Sequence, residues 1–376
     1  MPSLVQSAVK MSAQKNSITY SLADQSFART KSVGIWNVSV DLLQTLARQA
    51  KCPPLTVLGN HSLFEQLHLP SAIRTELYQR ASAGRFARIW WDQFGVYAAA
   101  RRAGNQWLLL PKGFASFMRR CPVHLAAFVH DVVQDHYDRN YPDAVPPLEA
   151  AYFRASFRAS VRQAKIIFTP TEFTRGEIER VSGEKGWRVP RLVCCGEGFE
   201  RPAATPSAQR RDVIVNAHPF PQKLTRKAME FLSRWHRENA FSESIHWVGL
   251  FPQNLELPPL PGWQRRGRLP EPEFRALMGR ARVVLYFSDY EGFGRPPVEA
   301  VLAGAAPVYS DIPATREVMG DCGCSFNNND YESFAAAFRR ALTIPPAQIQ
   351  VWADQLLARH NWNAVANRIL TALDTA

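Results

Sequence analysis

Between Ser288 and Ser310 the chain reads SDYEGFGRPPVEAVLAGAAPVYS, and two carboxylates, Glu291 and Glu299, stand there with seven residues between them. The turn Gly292, Phe293, Gly294 directly follows the first carboxylate. Glycines at such a turn adopt positive φ and let backbone N–H groups approach a ligand, while Pro296 and Pro297 suit the first turn of a helix whose positive end faces the same point. Anions and sugar hydroxyls bind at such a place. Glu291 falls in the loop and Glu299 in the first helical turn, so the two carboxylates reach different parts of an extended ligand. A glutamate at a helix start on its own merely complements the helix dipole. With the Gly-Phe-Gly turn and the two prolines beside it, the pair suits a sugar nucleotide.

Positioning these groups requires a scaffold of alternating strands and helices. Short apolar runs recur at 18–22, 55–58, 107–110, 125–129 and 166–168, and residues 34–47 carry Ile35, Val38, Leu42, Leu43 and Leu46 at helical spacing. After 192–195 comes ERPAATPSAQRR (200–211), without hydrophobic period, which reads as a linker. Alternation then restarts: strands at 212–217, 245–249, 281–288 and 306–310, helices at 224–235, 271–280 and 296–303. The fold class is α/β, with two parallel-sheet domains in series and the cleft between them as the expected site.

The whole-chain numbers agree. Three hundred and seventy-six residues exceed one hydrophobic core, and 46% hydrophobic with 21% charged residues is ordinary globular composition. A small binding module, a disordered chain and a coiled coil are excluded. No stretch approaches the roughly 20 apolar residues that cross a bilayer, and the first 22 residues lack a signal-peptide apolar run. The six cysteines form no zinc pattern or disulfide framework, so a reducing cytoplasm is the expected setting. Net charge is +12, of which 25 basic against 16 acidic residues place +9 in the first 200. Such a field attracts an acidic partner.

The segment 288–310 closely resembles the E-x7-E signature of retaining GT-B glycosyltransferases of the family 4 group, and overall the chain is similar to bacterial polysaccharide mannosyltransferases. The resemblance implies two Rossmann-like domains facing across a cleft: residues 1–205 on the acceptor side, 206–360 binding the nucleotide sugar, and 361–376 crossing back as a helix to the first domain. It further implies that Glu291 and the backbone of Gly292, Phe293 and Gly294 contact the donor sugar and phosphates, that Glu299 binds the ribose diol, and that His130, in Val-His-Asp after a strand, lies beside the donor sugar. Gly34 would line the phosphate side. Lys223 matches the family's cation for the diphosphate leaving group, whereas His218 stands where relatives carry an arginine; Arg226 and Lys227 lie close by in sequence. The catalytic set is Glu291, His130 and Lys223.

The implied reaction is transfer of a hexose with retained anomeric configuration, without metal and without cofactor, since the nucleotide-diphosphate sugar is itself a substrate. GDP-mannose is the first donor and a UDP sugar the second. The acceptor is a glycan or a polyprenyl-diphosphate-linked glycan, with an anionic membrane surface as a further partner at the inner face of the cytoplasmic membrane, and Arg154, Arg158 and Arg162 form the candidate patch. Nucleic acid is disfavoured because the basic residues are dispersed. Trp90 and Trp91 are expected in the core. An epimerase or hydrolase on the same fold, and a silent regulatory subunit, are the rival readings.

Overall fold

The computed structural model describes residues 16–25, 33–202, 210–239 and 241–376. The expected domain boundary at 205/206 and most of the linker lie outside them. Strands β1 (Ile18–Ser21), β2 (Leu55–Gly59), β3 (Arg74–Leu77), β4 (Trp107–Leu110), β5 (His124–Phe128), β6 (Ile166–Thr169) and β7 (Arg191–Cys194) form a sheet in the order β3-β2-β1-β4-β5-β6-β7. A second sheet runs β10-β9-β8-β11-β12-β13, from β8 (Asp212–Ala217), β9 (Ile245–Gly249), β10 (Trp263–Gly267), β11 (Ala281–Tyr286), β12 (Ala306–Ser310) and β13 (Cys324–Phe326). Every pairing is parallel, with Ile18 opposite Leu55 on one side and Trp107 on the other.

Parallel strands are joined by crossover helices that cover both faces, which is why the central strands read as unbroken apolar runs. All four residues of β1 and of β4 are buried. Each such Leu or Ile stabilises the fold by roughly 1.5–3 kcal/mol. The outer strands β3 and β10 and the three-residue β13 escape the sequence reading. Residues of β3 (RTEL) and β10 (WQRRG) are largely exposed at sheet edges, so no apolar run marks them.

The last helix, Trp362–Asp374, puts Trp362, Val365, Ala366 and Ile369 into the first domain's core, against Leu42 and Leu46 of the helix Val33–Arg48. Trp91 is buried, but Trp90 is not. Neighbouring side chains in the π-turn Trp91–Gly95 and the helix Arg85–Trp90 before it diverge, one inward and one to solvent. In both sheets the strand order reverses at the centre, between β1 and β4 and between β8 and β11. Loops leaving the carboxyl ends of such strand pairs open a crevice, and the candidate residues sit on those loops.

Candidate active site

Glu291 lies on the loop after β11 and Lys223 in the turn after β8, at the second sheet's reversal point. Lys223 Nζ pairs with Glu291 Oε1, Tyr286 Oη donates to the same oxygen at 2.5 Å, and Ser288 Oγ lies 2.6 Å from it. Lys223 Nζ also donates to Tyr286 Oη at 3.0 Å. Burial, with Glu291 close by, pushes the Tyr286 hydroxyl well above its ordinary pKa, so it remains a proton donor to the carboxylate. Leu224, next to Lys223, has φ +47°, a left-handed conformation uncommon for a leucine. It turns the chain abruptly into the helix Thr225–Glu238, leaving Lys223 on the cleft side.

His218 precedes this turn. Its Nδ1 accepts from the Phe220 amide at 3.4 Å, which leaves the ring proton on Nε2. Burial, reinforced by the Lys223 charge, pushes its pKa down to about 4, so it is neutral at pH 7 and supplies no second cation. Arg226 donates to the Gln253 carbonyl and Lys227 to Asn329, both away from Glu291.

From the first domain, the loop after β5 brings His130. The Pro111 carbonyl lies 2.7 Å from its Nε2 and can only accept, so Nε2 carries a proton. Its Nδ1 is 3.7 Å from Glu197 Oε1, on the segment after β7. Glu197 also takes the Nη1 of Arg295 at 2.9 Å, and Arg295 Nε reaches Glu299 Oε1 at 3.2 Å. Burial alone would raise the Glu197 pKa, but the neighbouring His130 ring and the Arg295 guanidinium hold it below its ordinary value. Asp41, on the helix that begins Val33-Gly34, is near enough to feel Arg295, Glu299 and Glu197; burial pushes it up to about 6. Gly34 itself has open space where a side chain would begin.

The two domains clasp around this centre. Thr171 Oγ1 donates to the Gly292 carbonyl at 2.6 Å, and Glu317 of the second domain accepts from the amides of Glu172 and Phe173 at 2.7 and 2.9 Å, capping a first-domain helix. The Gly292 α-carbon packs against the His130 carbonyl oxygen. Gly294, at φ +87°, caps the helix Arg295–Leu302 without a side-chain cap; Pro296 and Pro297 carry no N–H, so Gly294 and Arg295 supply the amides of its first turn.

In the first domain, the loops after β1 and β4 hold Asp24 and Lys112, and the π-turn holds Asp92. Lys112 pairs with Asp24 and, at 2.5 Å, with Asp92, to which Tyr152 donates at 2.9 Å. Burial, reinforced by the Asp24 charge, pushes Asp92 up to about 6 although the Lys112 ammonium opposes the shift. The candidate patch divides: Arg154 pairs with Asp138 at 2.9 Å, Arg158 lies over the Trp187 ring, and Arg162 with Arg158 borders a basic groove of about 740 Å³ with Lys165, Lys185 and Arg188. That groove lies at the amino ends of β6 and β7, away from the cleft. Among the described residues no group of three or more His, Cys, Asp or Glu is placed to hold a metal, and no helix is long and apolar enough to cross a membrane.

Glu197, Arg295, Asp41, Tyr286, Asp24, Lys112 and Asp92 were not indicated by the sequence. Arg295 lies inside the Gly-Phe-Gly-Arg-Pro-Pro segment and was legible as a charge there. Tyr286 lies only five residues before Glu291 but reads as a core aromatic in an apolar strand, and the others gain meaning only from partners 20 or more residues away.

Comparison with known proteins places this geometry. Residues 265–352 match the family described as glycosyl transferases group 1. Over 96% of its length the chain superposes on all of the Anabaena HepE protein solved with UDP and glucose, at TM-score 0.65 and 14% identity, and equally on 99% of sucrose-phosphate synthase from Thermosynechococcus elongatus, at TM-score 0.66 and 13% identity. The fold is GT-B, with a group 1 domain in its second half. In sequence, the GT-B chain is 26% identical over 224 residues to O-antigen chain mannosyltransferase B of Escherichia coli, covering 54% of this chain and 58% of that protein. A 75-residue match, 33% identical, covers 20% of this chain and 21% of the O-antigen chain mannosyltransferase RfbU of Salmonella typhimurium. The chain thus aligns with little more than half of the first of these relatives and a fifth of the second.

Proposed function

We propose that this GT-B chain is a retaining glycosyltransferase that moves a hexose from a nucleotide-diphosphate sugar to a glycan or lipid-linked glycan during cell-surface polysaccharide synthesis. The observation that carries it is the Glu291 and Lys223 pair at the second sheet's reversal point, beside the amides of Gly294 and Arg295 at the start of the helix Arg295–Leu302 and opposite His130. Lys223 and those amides neutralise the departing diphosphate, doing by fixed charge and dipole what a metal ion does elsewhere. Neutral His218 contributes a hydrogen-bond donor, not a charge. Glu291 and His130 hold the sugar, and Glu299 takes the ribose diol. The acceptor hydroxyl approaches on the face that the diphosphate leaves. As the bond from the anomeric carbon to the diphosphate oxygen breaks, the bond to the acceptor oxygen forms, and the hydroxyl proton passes to the leaving oxygen.

Mannose is the favoured sugar because the relatives above are named mannosyltransferases, which supports GDP-mannose as donor. The UDP and glucose of the HepE structure favour a UDP sugar as the second reading. Calorimetry against GDP-mannose, UDP-glucose and the free nucleotides tests the assignment. One nucleotide sugar should bind, and Glu299→Ala should weaken it by about 1.5–3 kcal/mol, the worth of charge-assisted hydrogen bonds. Absence of binding to any nucleotide sugar would overturn it.

A further inference from the structure

Among the described residues nine large hydrophobic side chains are exposed, and five of them cluster on the first domain. Phe86 (87% exposed) and Trp90 (60%) stand one turn apart on the helix Arg85–Trp90. Phe117 and Met118 follow β4, and Leu148 opens the helix Pro147–Gln163.

Three contacts tie these elements into one face. Trp90 packs against Phe94, whose ring lies under the Arg119 guanidinium; Arg85 reaches Glu149 at 3.2 Å, beside Leu148; and Phe117 packs edge-on against Tyr152. Exposed Arg85 and Arg119 border the apolar side chains, Arg88 and Arg120 are exposed on the same two segments, and Glu149 is the acid paired with Arg85. An apolar centre with tryptophan and phenylalanine and a cationic border matches a bilayer interface, where rings sit at the headgroups and arginines meet anionic phosphates. A second copy of the chain is a poor occupant, because two such faces would set Arg119 and Arg120 against their own like charges.

We propose that this face docks the protein on an anionic lipid bilayer. The inference rests on the reading of the acceptor as lipid-linked and moves the membrane contact from Arg154, Arg158 and Arg162 to a surface that also carries apolar anchors. Its position relative to the cleft supports it. Tyr152, under Phe117, donates to Asp92; Asp92 pairs with Lys112; and Pro111, the preceding residue, accepts from His130. Tyr152, Asp92 and Lys112 thus link the face to the loop that holds His130, so a headgroup-borne glycan enters from the side of the molecule that meets the bilayer.

Co-sedimentation of the full chain with phosphatidylglycerol/phosphatidylethanolamine vesicles, and with phosphatidylcholine vesicles, tests the proposal. The wild type should partition onto the anionic vesicles at least ten-fold better than onto the zwitterionic ones. Phe86→Ser with Trp90→Ser, and separately Arg119→Glu with Arg120→Glu, should each lower anionic-vesicle binding at least ten-fold while transfer to a soluble short glycan stays at the wild-type rate. Undiminished binding in both variants, equal binding to both vesicle types, or loss of a dimer with no vesicle binding would overturn it. Failure of the wild type to transfer sugar to any soluble acceptor would instead count against the proposed function and leave the vesicle result to stand by itself.

Discussion

A methyl group added to Gly292 would come within 1.7 Å of the His130 carbonyl oxygen, although the two residues belong to different domains. The glycine therefore sets how closely the two halves of the cleft meet.

Gly292→Ala should leave each domain's core untouched and force the domains apart by the width of a methyl group. Displacements of about 1 Å at a reacting centre cost on the order of 100-fold in rate. Transfer should fall by about that factor with little change in melting temperature, and solution scattering should show a more open particle. Unaltered kinetics would show that the clasp does not matter to the reaction.

Removing the ammonium in Lys223→Ala withdraws a charge from the departing diphosphate, and losses of about 10²–10³-fold accompany removal of one such stabilising group. Glu291→Gln is the milder probe of its partner, because the amide oxygen still accepts from Tyr286 and Ser288 while the charge is gone. Both variants should fold and lose most transfer, and the double variant should lose less than the product of the two, since the side chains act through one contact. Multiplicative losses would mean that they act separately.

Asp41 offers a test of the electrostatics around Glu299. Its carboxyl rises from 3.8 to about 6 on folding, so the folded state holds a proton that the unfolded chain releases between those values. Stability from this group is present below about pH 4 and is lost as pH rises through 6. Asp41→Asn should therefore be more stable than the wild type at pH 7.5, by at most about 3 kcal/mol, with the gap closing toward pH 4. Thermal melts at both pH values decide it; a variant less stable at pH 7.5 would refute the assigned direction.

How much of this was legible in the sequence follows from where the information lies. The strands β4, β8, β9 and β12 matched their apolar runs residue for residue because central parallel strands are buried on both faces. The edge strands β3 and β10 were hidden because edge residues face water and carry charge. Glu291, Glu299 and their glycines are close in the chain, so spacing alone exposed them. Glu197 and Arg295 are 98 residues apart and meet only when the first domain's last strand is laid against the second domain's helix. His218 was legible as a departure from the usual arginine, but its neutral state depends on burial. Trp90 was misplaced because sequence gives no sign that a helix ends at Trp90 and a π-turn begins at Trp91, which leaves one ring in solvent and the other in the core.

Metal removal tests the role given to fixed charge. With Lys223 and the amides of Gly294 and Arg295 at a helix start stabilising the diphosphate, transfer should persist in excess EDTA at close to its original rate. Complete loss, restored by Mn²⁺ or Mg²⁺, would mean that a metal does that work.

The most direct measurement is the transfer itself: purified chain incubated with radiolabelled GDP-mannose, and in parallel a UDP-hexose, with and without a polyprenyl-diphosphate-linked glycan, followed by NMR of the product. The account predicts label in the glycan only when donor and acceptor are both present, and an anomeric configuration in the new linkage that matches the donor's. Consumption or conversion of the nucleotide sugar at the same rate without acceptor, or a product of inverted configuration, would contradict it.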